Sequence, residues 1–306
     1  MRSILKAGDG SFNIINPKKN GHLESRYVRR KLNKVSVYVS SHNGCTMGCK
    51  FCFLTANKQT MFSHTSTDEF IKQIHDVLLL APLEDRSNIK VNINFMARGE
   101  PLANKYIIKN YDEIYDKMND LIVRQFGYAN IQPNVSSIFP HIIKNMELPT
   151  IFNRPVYLYY SMYSTNELFR RKWIPNAIDP NIALEKLKQF QTKSLLPITI
   201  HGAFIKGEND RDEDIDKYVS LIKKYDFDKV KFNIVRFNPH VDSSYLESEK
   251  INEIYERLCD VSEYAKSYSK IIPRAGFDYD PVNSELGQLD AKHVDNTYVS
   301  CGMFIK

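Results

Sequence analysis

Short runs of β-branched and aromatic residues alternate with longer amphipathic segments along most of the chain, and this alternation restricts the fold more than any other feature. The runs predict strands at 35–40, 91–96, 129–135, 156–161, 198–204 and 229–235. The longer segments predict helices at 67–80, 105–124, 138–146, 182–190, 212–225 and 248–267. Nearly continuous apolar strands separated by helices are typical of a parallel sheet that helices cover. The sequence therefore predicts an α/β fold of β-α units, either a wound sheet or a partial barrel.

The composition excludes several other classes of protein. With 42% apolar and 25% charged residues, the 306-residue chain can bury a core that a disordered protein lacks. Five cysteines are too few, and odd in number, for a disulfide-stapled secreted module. The sequence contains neither an apolar run of about 18 residues, which a membrane span needs, nor a signal peptide. We therefore expect a soluble, cytoplasmic protein whose formal net charge of +6 permits an RNA partner.

The first 34 residues are polar and basic, and we expect them to form a unit distinct from a core at 35–306. Five of the nine residues at 26–34 are basic. This stretch is either a solvated strand edge or a patch that faces phosphate groups.

Three of the five cysteines lie close together, directly after the first predicted strand. Cys45, Cys49 and Cys52 occur in the segment GCTMGCKFC, where the glycines allow the backbone to fold tightly. Three thiolates on a four-iron cluster leave one iron open to another ligand, whereas a structural zinc site needs four protein ligands. A zinc site completed by His42, a dithiol switch and three unrelated core cysteines are the alternatives.

The cysteine spacing resembles the signature of radical S-adenosylmethionine enzymes, and Phe51, the aromatic residue before the last cysteine, fits the same pattern. The resemblance implies a partial (βα)6 barrel and a [4Fe-4S] cluster whose open iron binds S-adenosylmethionine. It also implies reductive cleavage of S-adenosylmethionine to a 5′-deoxyadenosyl radical. The electron would come from an external donor such as flavodoxin.

A second motif narrows the resemblance to the RNA adenosine C2/C8 methyltransferases of the RlmN/Cfr type. The segment NFMARGEPLAN at 94–104 resembles that family's FMGMGEPLxN. The resemblance implies that Gly99, Glu100 and Pro101 hold the methionyl amino group of the cofactor. Ala97 and Arg98 depart from the family's Gly-Met. Taken alone, Glu100 would be interpreted as the carboxylate cap of a helix.

Residues at later strand ends extend this resemblance. Ser136 and Ser161 correspond to serines that contact the cofactor, and Asn238 corresponds to a residue that contacts its adenosine part. The segments RRKWIPN at 170–176 and HGAFIKGENDRDED at 201–214 resemble further parts of the family. Each of these residues alone is more typical of a turn or a cap. Their order along the chain is what supports the resemblance.

The family methylates adenine through two additional cysteines, and only one has a counterpart here. Cys301, in SCGMF, resembles the cysteine that carries the methyl group, although a competing alignment through 285–289 places Leu286 there. The cysteine that resolves the protein–RNA crosslink corresponds to Tyr38, which cannot form a disulfide. Cys259 lies in a helical pattern and is expected to be a buried apolar residue.

We therefore expect a monomeric radical S-adenosylmethionine enzyme that methylates an adenine of rRNA or tRNA and has no membrane partner. Only 44 residues precede Cys45, so we expect the family's short β extension at 1–34 but no counterpart of its helical RNA-binding domain. One alternative is a radical enzyme that acts on a nucleotide, peptide or small molecule without the two-cysteine cycle. Another is a nucleic-acid-binding module that contains zinc.

Overall fold

A computed structural model describes residues 2–7, 10–31, 34–82, 89–237 and 244–272. Within these ranges ten strands form one sheet, in the order in which they occur along the chain. The strands are β1 (Ser3–Lys6), β2 (Phe12–Lys18), β3 (Gly21–Lys31), β4 (Lys34–Val39), β5 (Lys90–Phe95), β6 (Ile131–Ser137), β7 (Tyr157–Ser161), β8 (Ile198–Gly202), β9 (Val230–Ile234) and β10 (Lys270–Ile271).

The sheet has an antiparallel part and a parallel part that share β4. Strands β1 to β4 pair antiparallel, whereas β4 to β10 pair parallel throughout. The six predicted strands correspond to β4–β9, with ends that differ by two residues at most. The predicted α/β fold, a partial barrel preceded by a short β extension, is confirmed.

In the described residues, every helix lies between two consecutive parallel strands along the chain. They are α1 (Phe53–Ala56), α2 (Thr67–Leu80), α3 (Lys105–Phe126), α4 (Leu148–Ile151), α5 (Glu167–Trp173), α6 (Pro180–Ser194), α7 (Asp212–Lys224), α8 (Ile251–Cys259) and α9 (Glu263–Tyr268). Helix α2 begins where the sequence predicts, because Ser66 and Glu69 form a reciprocal capping box. None of the helices in the described ranges is long and apolar enough to cross a membrane.

Two helix predictions are wrong in detail. The predicted helix at 138–146 is only a 3₁₀ turn, His141–Ile143. Phe139 has a φ of 60°, and Pro140 has no N–H, so the chain cannot continue as an α-helix there. The predicted helix at 248–267 is two helices, because α8 ends at Cys259 and Ser262 caps the start of α9.

Side chains alternate across the wall of the barrel. On β5, Val91, Ile93 and Phe95 are completely buried in the apolar core that α2 and α3 cover. Asn92 and Asn94, between them, point to the opposite face, where Asn94 Oδ1 accepts a hydrogen bond from Asn134 Nδ2 at 3.0 Å. The barrel therefore has an apolar outer face and a polar lumen.

Most of the basic stretch at 26–34 belongs to β3, which ends at Lys31, and Lys34 begins β4. Arg26 is buried, and its Nε donates a hydrogen bond to Asn13 Oδ1 on β2. This arginine therefore stabilises the antiparallel strands and does not face phosphate groups in solvent.

Candidate functional site

The three clustered cysteines occupy the loop between β4 and α1, at the carboxyl end of the first parallel strand. Cys49 and Cys52 are buried and Cys45 is half-buried. Burial raises the pKa of the Cys45 and Cys49 thiols, and the neighbouring Cys52 raises them further. Since these buried thiols disfavour one another's ionisation, a bound cation is needed to hold all three as thiolates. The donor set therefore fits a metal cluster.

The zinc alternative needs His42 as the fourth ligand beside the three cysteines. His42 Nδ1 contacts Ser41 Oγ at 3.1 Å, and its Nε2 contacts His64 Nδ1 at 3.0 Å. Both ring nitrogens are thus engaged, which does not support the zinc alternative.

The end of α5 and the residues directly after it hold the cysteine loop from the other side of the barrel mouth. Asn176 Nδ2 donates to the Met47 carbonyl at 3.1 Å, and the Lys50 amide donates to the Trp173 carbonyl at 2.9 Å. The Phe51 ring packs against Tyr163, with ring centroids 4.5 Å apart. The segment at 170–176 therefore contributes to the site by positioning the loop.

The segment Gly99–Pro101 follows β5 and passes close to His42. Gly99 has a φ of 89°, and a Cβ at this position would lie 2.6 Å from His42 Nδ1 and 2.7 Å from Ser41 Oγ. Only glycine combines this backbone conformation with so close an approach. Pro101 then begins a 3₁₀ turn, Pro101–Ala103, for which Glu100 is the N-cap.

Glu100 connects the ends of two parallel strands. Its Oε1 accepts from the Leu102 amide at 3.0 Å, as a capping carboxylate does, and its Oε2 accepts from the Ile138 amide at 3.2 Å, just after β6. Burial raises the pKa of Glu100 to about 7, against the hydrogen bonds that lower it. Glu100 is therefore a capping carboxylate, as its sequence context alone suggests, but it also binds the backbone just after β6. Glu100 and Cys45 also line one cavity of about 320 Å³.

The Arg98 side chain explains the departure from the family's Gly-Met. It is buried, and its Nη1 donates to Glu24 Oε1 on β3 at 3.0 Å. Its Nη2 donates to the Asn43 carbonyl at 3.0 Å, and its own carbonyl accepts from the Ser41 amide at 2.7 Å. Arg98 thus ties the start of the cysteine loop to the antiparallel strands. No motif or spacing in the sequence predicts that residues 24 and 98 form a pair.

The structure brings the two predicted serines together and adds a histidine. Ser136 Oγ and Ser161 Oγ are 3.3 Å apart, at the ends of β6 and β7. His201 Nε2, on β8, lies 2.8 Å from Ser136 Oγ and 2.7 Å from Ser161 Oγ. Burial lowers the pKa of His201 to about 4, so the imidazole is neutral near pH 7. In the sequence, His201 stands out only as the first residue of the 201–214 segment.

Comparison with curated proteins identifies a consistent set of relatives. The chain is 29% identical to the dual-specificity RNA methyltransferase RlmN of Bdellovibrio bacteriovorus over 247 residues. It is 26% identical to the probable RlmN of Alkaliphilus oremlandii over 299 residues, and 30% identical to the RlmN of Wolinella succinogenes over 223 residues. The chain is RlmN-like.

The extent of the match differs among these relatives. The alignments cover 79%, 96% and 71% of the RlmN-like chain. They cover 57% of the Bdellovibrio protein, 80% of the Alkaliphilus protein and 58% of the Wolinella protein. No protein-family profile matches the chain.

Solved structures agree on the fold. A radical SAM methyltransferase from Sphaerobacter thermophilus superposes with a TM-score of 0.67 at 18% identity, covering 89% of this chain and 76% of that one. SuiB of Streptococcus suis superposes with a TM-score of 0.50 at 14% identity, covering 79% and 49% respectively. The RlmN-like chain therefore has the radical SAM fold.

Some predicted residues of the RlmN-like chain lie outside the described ranges. These are Asn238, Cys301 and the segment at 285–289. Tyr38 lies on β4, opposite Arg26 on β3 and Asn94 on β5. Cys259 is buried at the end of α8, as its apolar pattern predicts.

Proposed function

We propose that this RlmN-like chain binds a [4Fe-4S] cluster through Cys45, Cys49 and Cys52 and uses S-adenosylmethionine to methylate an adenine of rRNA or tRNA. The observation that carries the proposal is the cavity that Cys45 and Glu100 share at the carboxyl ends of the parallel strands. The names of the relatives, all RlmN-type RNA methyltransferases, support the choice of reaction and substrate.

The side chains around this cavity suit a ligand with a positively charged amino group. Glu100 is buried, and both carboxylate oxygens are held by backbone amides of neighbouring strand ends. A cation in the cavity would offset the burial that raises the pKa of Glu100, because opposite charges favour the ionised carboxylate. The methionyl ammonium of S-adenosylmethionine is such a cation.

The cluster would supply the electron that cleaves S-adenosylmethionine and generates a carbon radical, after reduction by an external donor such as flavodoxin. The protein holds the reacting groups in place: Gly99 brings the Glu100 segment close to the cysteine loop, and Asn176 fixes that loop from the opposite side. Cys301 is the proposed methyl carrier. The enzyme would act as a monomer.

A second candidate reaction keeps the cluster and changes the outcome. Tyr38 occupies the position of the resolving cysteine, and its phenol cannot form the disulfide that releases RNA from a crosslinked cysteine. This observation favours a radical enzyme that modifies a nucleotide, peptide or small molecule without the two-cysteine cycle.

Anaerobic reconstitution with iron and sulfide tests the cluster and the cofactor. We expect about four irons for each wild-type chain and release of 5′-deoxyadenosine from S-adenosylmethionine after reduction. Cys49→Ala should lose both, whereas Cys259→Ala, a buried cysteine far from the loop in sequence, should keep both. A wild-type protein that binds no cluster would contradict the proposal.

Nucleoside analysis of RNA then separates the two candidate reactions. Reconstituted enzyme, reductant and S-adenosylmethionine are incubated with unmodified rRNA and tRNA transcripts, and digests are searched for methyladenosine. We expect methyladenosine together with a one-methyl mass increase on the Cys301 peptide. Release of 5′-deoxyadenosine without either product would reject the methyltransferase and leave the second candidate.

A further inference from the structure

A group of lysines lies at the amino end of the barrel lumen. Lys90 begins β5, and Lys231 is the second residue of β9. The residue after each of them is packed in the outer apolar core, so both lysines point into the lumen. Lys270 begins β10, opposite Asn233, which is the next inward residue after Lys231. The lysines are therefore at the end of the barrel away from the cysteine loop, which follows the carboxyl end of β4.

These lysines interact unfavourably with one another. The pKa of Lys231 is lowered by burial first, and then by the like charges of Lys270 and Lys90. Because β5 and β9 are not neighbours in the sheet, the repulsion between Lys231 and Lys90 acts across the lumen. Lys34 lies directly opposite Lys90 in the register of β4 and β5 and adds a further positive charge. Folding thus brings like charges together, which costs free energy unless an anion compensates them.

The surrounding strands provide no negative charge to balance these lysines. Strands β4 to β10 contain no Asp or Glu. Within the described residues, Lys90 and Lys231 are half-buried and form neither an ion pair nor a hydrogen bond. Asp228, the acidic residue that precedes β9, instead has its Oδ1 3.5 Å from the Nζ of Lys188 on α6. The amino end of the lumen is therefore positively charged, and such a lined cleft attracts anions.

The lumen next to the lysines is polar and incompletely packed. Asn92 and Asn233 lie one inward position closer to the barrel mouth, and the Oδ1 atom of each is buried without a hydrogen-bond partner in the described structure. Their exposed fractions are 7% and 6%, whereas the outward-facing Val91 and Phe232 have 0% and 1%. Strand β5 extends about 16 Å from its first to its last residue. The lumen can therefore hold a small polar molecule beside the lysines.

We propose that Lys90 and Lys231 bind the phosphate group of a small phosphorylated molecule that occupies the barrel lumen. A phosphate monoester carries about 1.5–2 negative charges near pH 7 and three acceptor oxygens. It therefore matches two ammonium groups across the lumen better than a carboxylate, which carries a single charge. The ligand is small because the strands enclose the lumen and leave no path for a folded nucleic acid. This site goes beyond the proposed function, since it requires neither the cluster nor S-adenosylmethionine.

Equilibrium titration of the reconstituted, unreduced chain with inorganic phosphate, ribose 5-phosphate and acetate tests the site. We expect wild type to bind both phosphate compounds at least about tenfold more tightly than acetate. Lys90→Met and Lys231→Met should each weaken phosphate binding by about tenfold or more, because each removes a charged hydrogen bond. Lys217→Met is the matched control: it removes the same charge from an exposed position of α7 and should leave phosphate binding unchanged within about twofold.

Thermal unfolding distinguishes a binding lysine from a structural one. Without phosphate, Lys231→Met should be at least as stable as wild type, since the lysine is desolvated beside like charges. Added phosphate should raise the melting temperature of wild type and of Lys217→Met more than that of Lys231→Met. A loss of stability in phosphate-free Lys231→Met, with an unchanged response to phosphate, would overturn the inference. Lys231→Gln provides the same comparison if Lys231→Met does not fold.

The remaining outcomes separate this site from the proposed function. Absence of phosphate binding by wild type, or an equal loss in Lys231→Met and Lys217→Met, overturns the inference and leaves the proposed function intact. Binding of a short RNA without a terminal phosphate that depends on Lys231, in place of phosphate binding, would overturn the small ligand and assign the lysines to an RNA backbone. If no cluster can be reconstituted, the proposed function fails, and the same titrations of the purified chain still test the site.

Discussion

Arg98 Nη1 donates a hydrogen bond to Glu24 Oε1 at 3.0 Å, and both side chains are completely buried. The pair joins strand β3 to the segment that precedes Gly99 and Glu100. Through the Asn43 carbonyl, the same guanidinium also holds the start of the cysteine loop. The antiparallel strands are therefore part of the framework of the site.

Arg98→Met should lower the free energy of unfolding by about 3–5 kcal/mol, because Glu24 would be left buried without its charged partner. Urea denaturation of the cluster-free protein measures this change. Arg154→Met is the matched control: its ion pair with Asp116 is exposed on both sides, so a loss below about 1 kcal/mol is expected. Adding Glu24→Gln to Arg98→Met should recover part of the loss. Equal losses in the two single arginine variants would contradict the role of the buried pair.

Gly99→Ala should be more destabilising than Gly127→Ala, although both glycines have left-handed backbones with φ of 89° and 80°. Gly127 ends α3, and a Cβ there would meet no atom within 4 Å, so its substitution should cost only about 1–2 kcal/mol of backbone strain. At Gly99 the overlap with His42 and Ser41 adds about 1–3 kcal/mol. Thermal and urea unfolding of the two variants compare these costs. Similar losses of stability in the two variants would show that the Gly99 segment can move away from His42.

The strands and the site were predictable to different extents from the sequence. The runs of β-branched and aromatic residues predicted β4–β9, because buried parallel strands are strongly apolar. The prediction of a helix at 138–146 was wrong because its apolar pattern is typical of a helix and does not indicate the left-handed backbone of Phe139. Cysteine spacing is local, so the cluster loop could be recognised. The contacts of Arg98 with Glu24, and of His201 with two serines, join residues far apart in sequence and required the fold.

Acidification should destabilise the protein through its buried histidines. Burial lowers the pKa of His201 from 6.5 to about 4, so the unfolded chain binds a proton between these pH values and the folded chain does not. The stability that neutral His201 contributes is present above pH 6.5 and is lost as the pH falls towards 4, by about 3 kcal/mol at most. His201→Phe should remove this part of the pH dependence of unfolding, whereas exposed His75→Gln should retain it. An unaltered slope in His201→Phe would contradict the burial of a neutral imidazole.

Glu100 should have the opposite effect on stability in the cluster-free protein. Burial raises its pKa from 4.5 to about 7, so the folded chain holds a proton that the unfolded chain releases between these values. The stability that protonated Glu100 contributes is present below pH 4.5 and is lost as the pH rises through 7, by about 3 kcal/mol at most. Glu100→Gln cannot release a proton, so the variant should gain stability relative to wild type as the pH rises from 5 to 8. Glu253→Gln, at an exposed position of α8, should follow wild type throughout. A constant difference between wild type and Glu100→Gln over this range would mean that the carboxylate is already ionised at pH 5, and that the cavity does not need a cationic ligand to stabilise its charge.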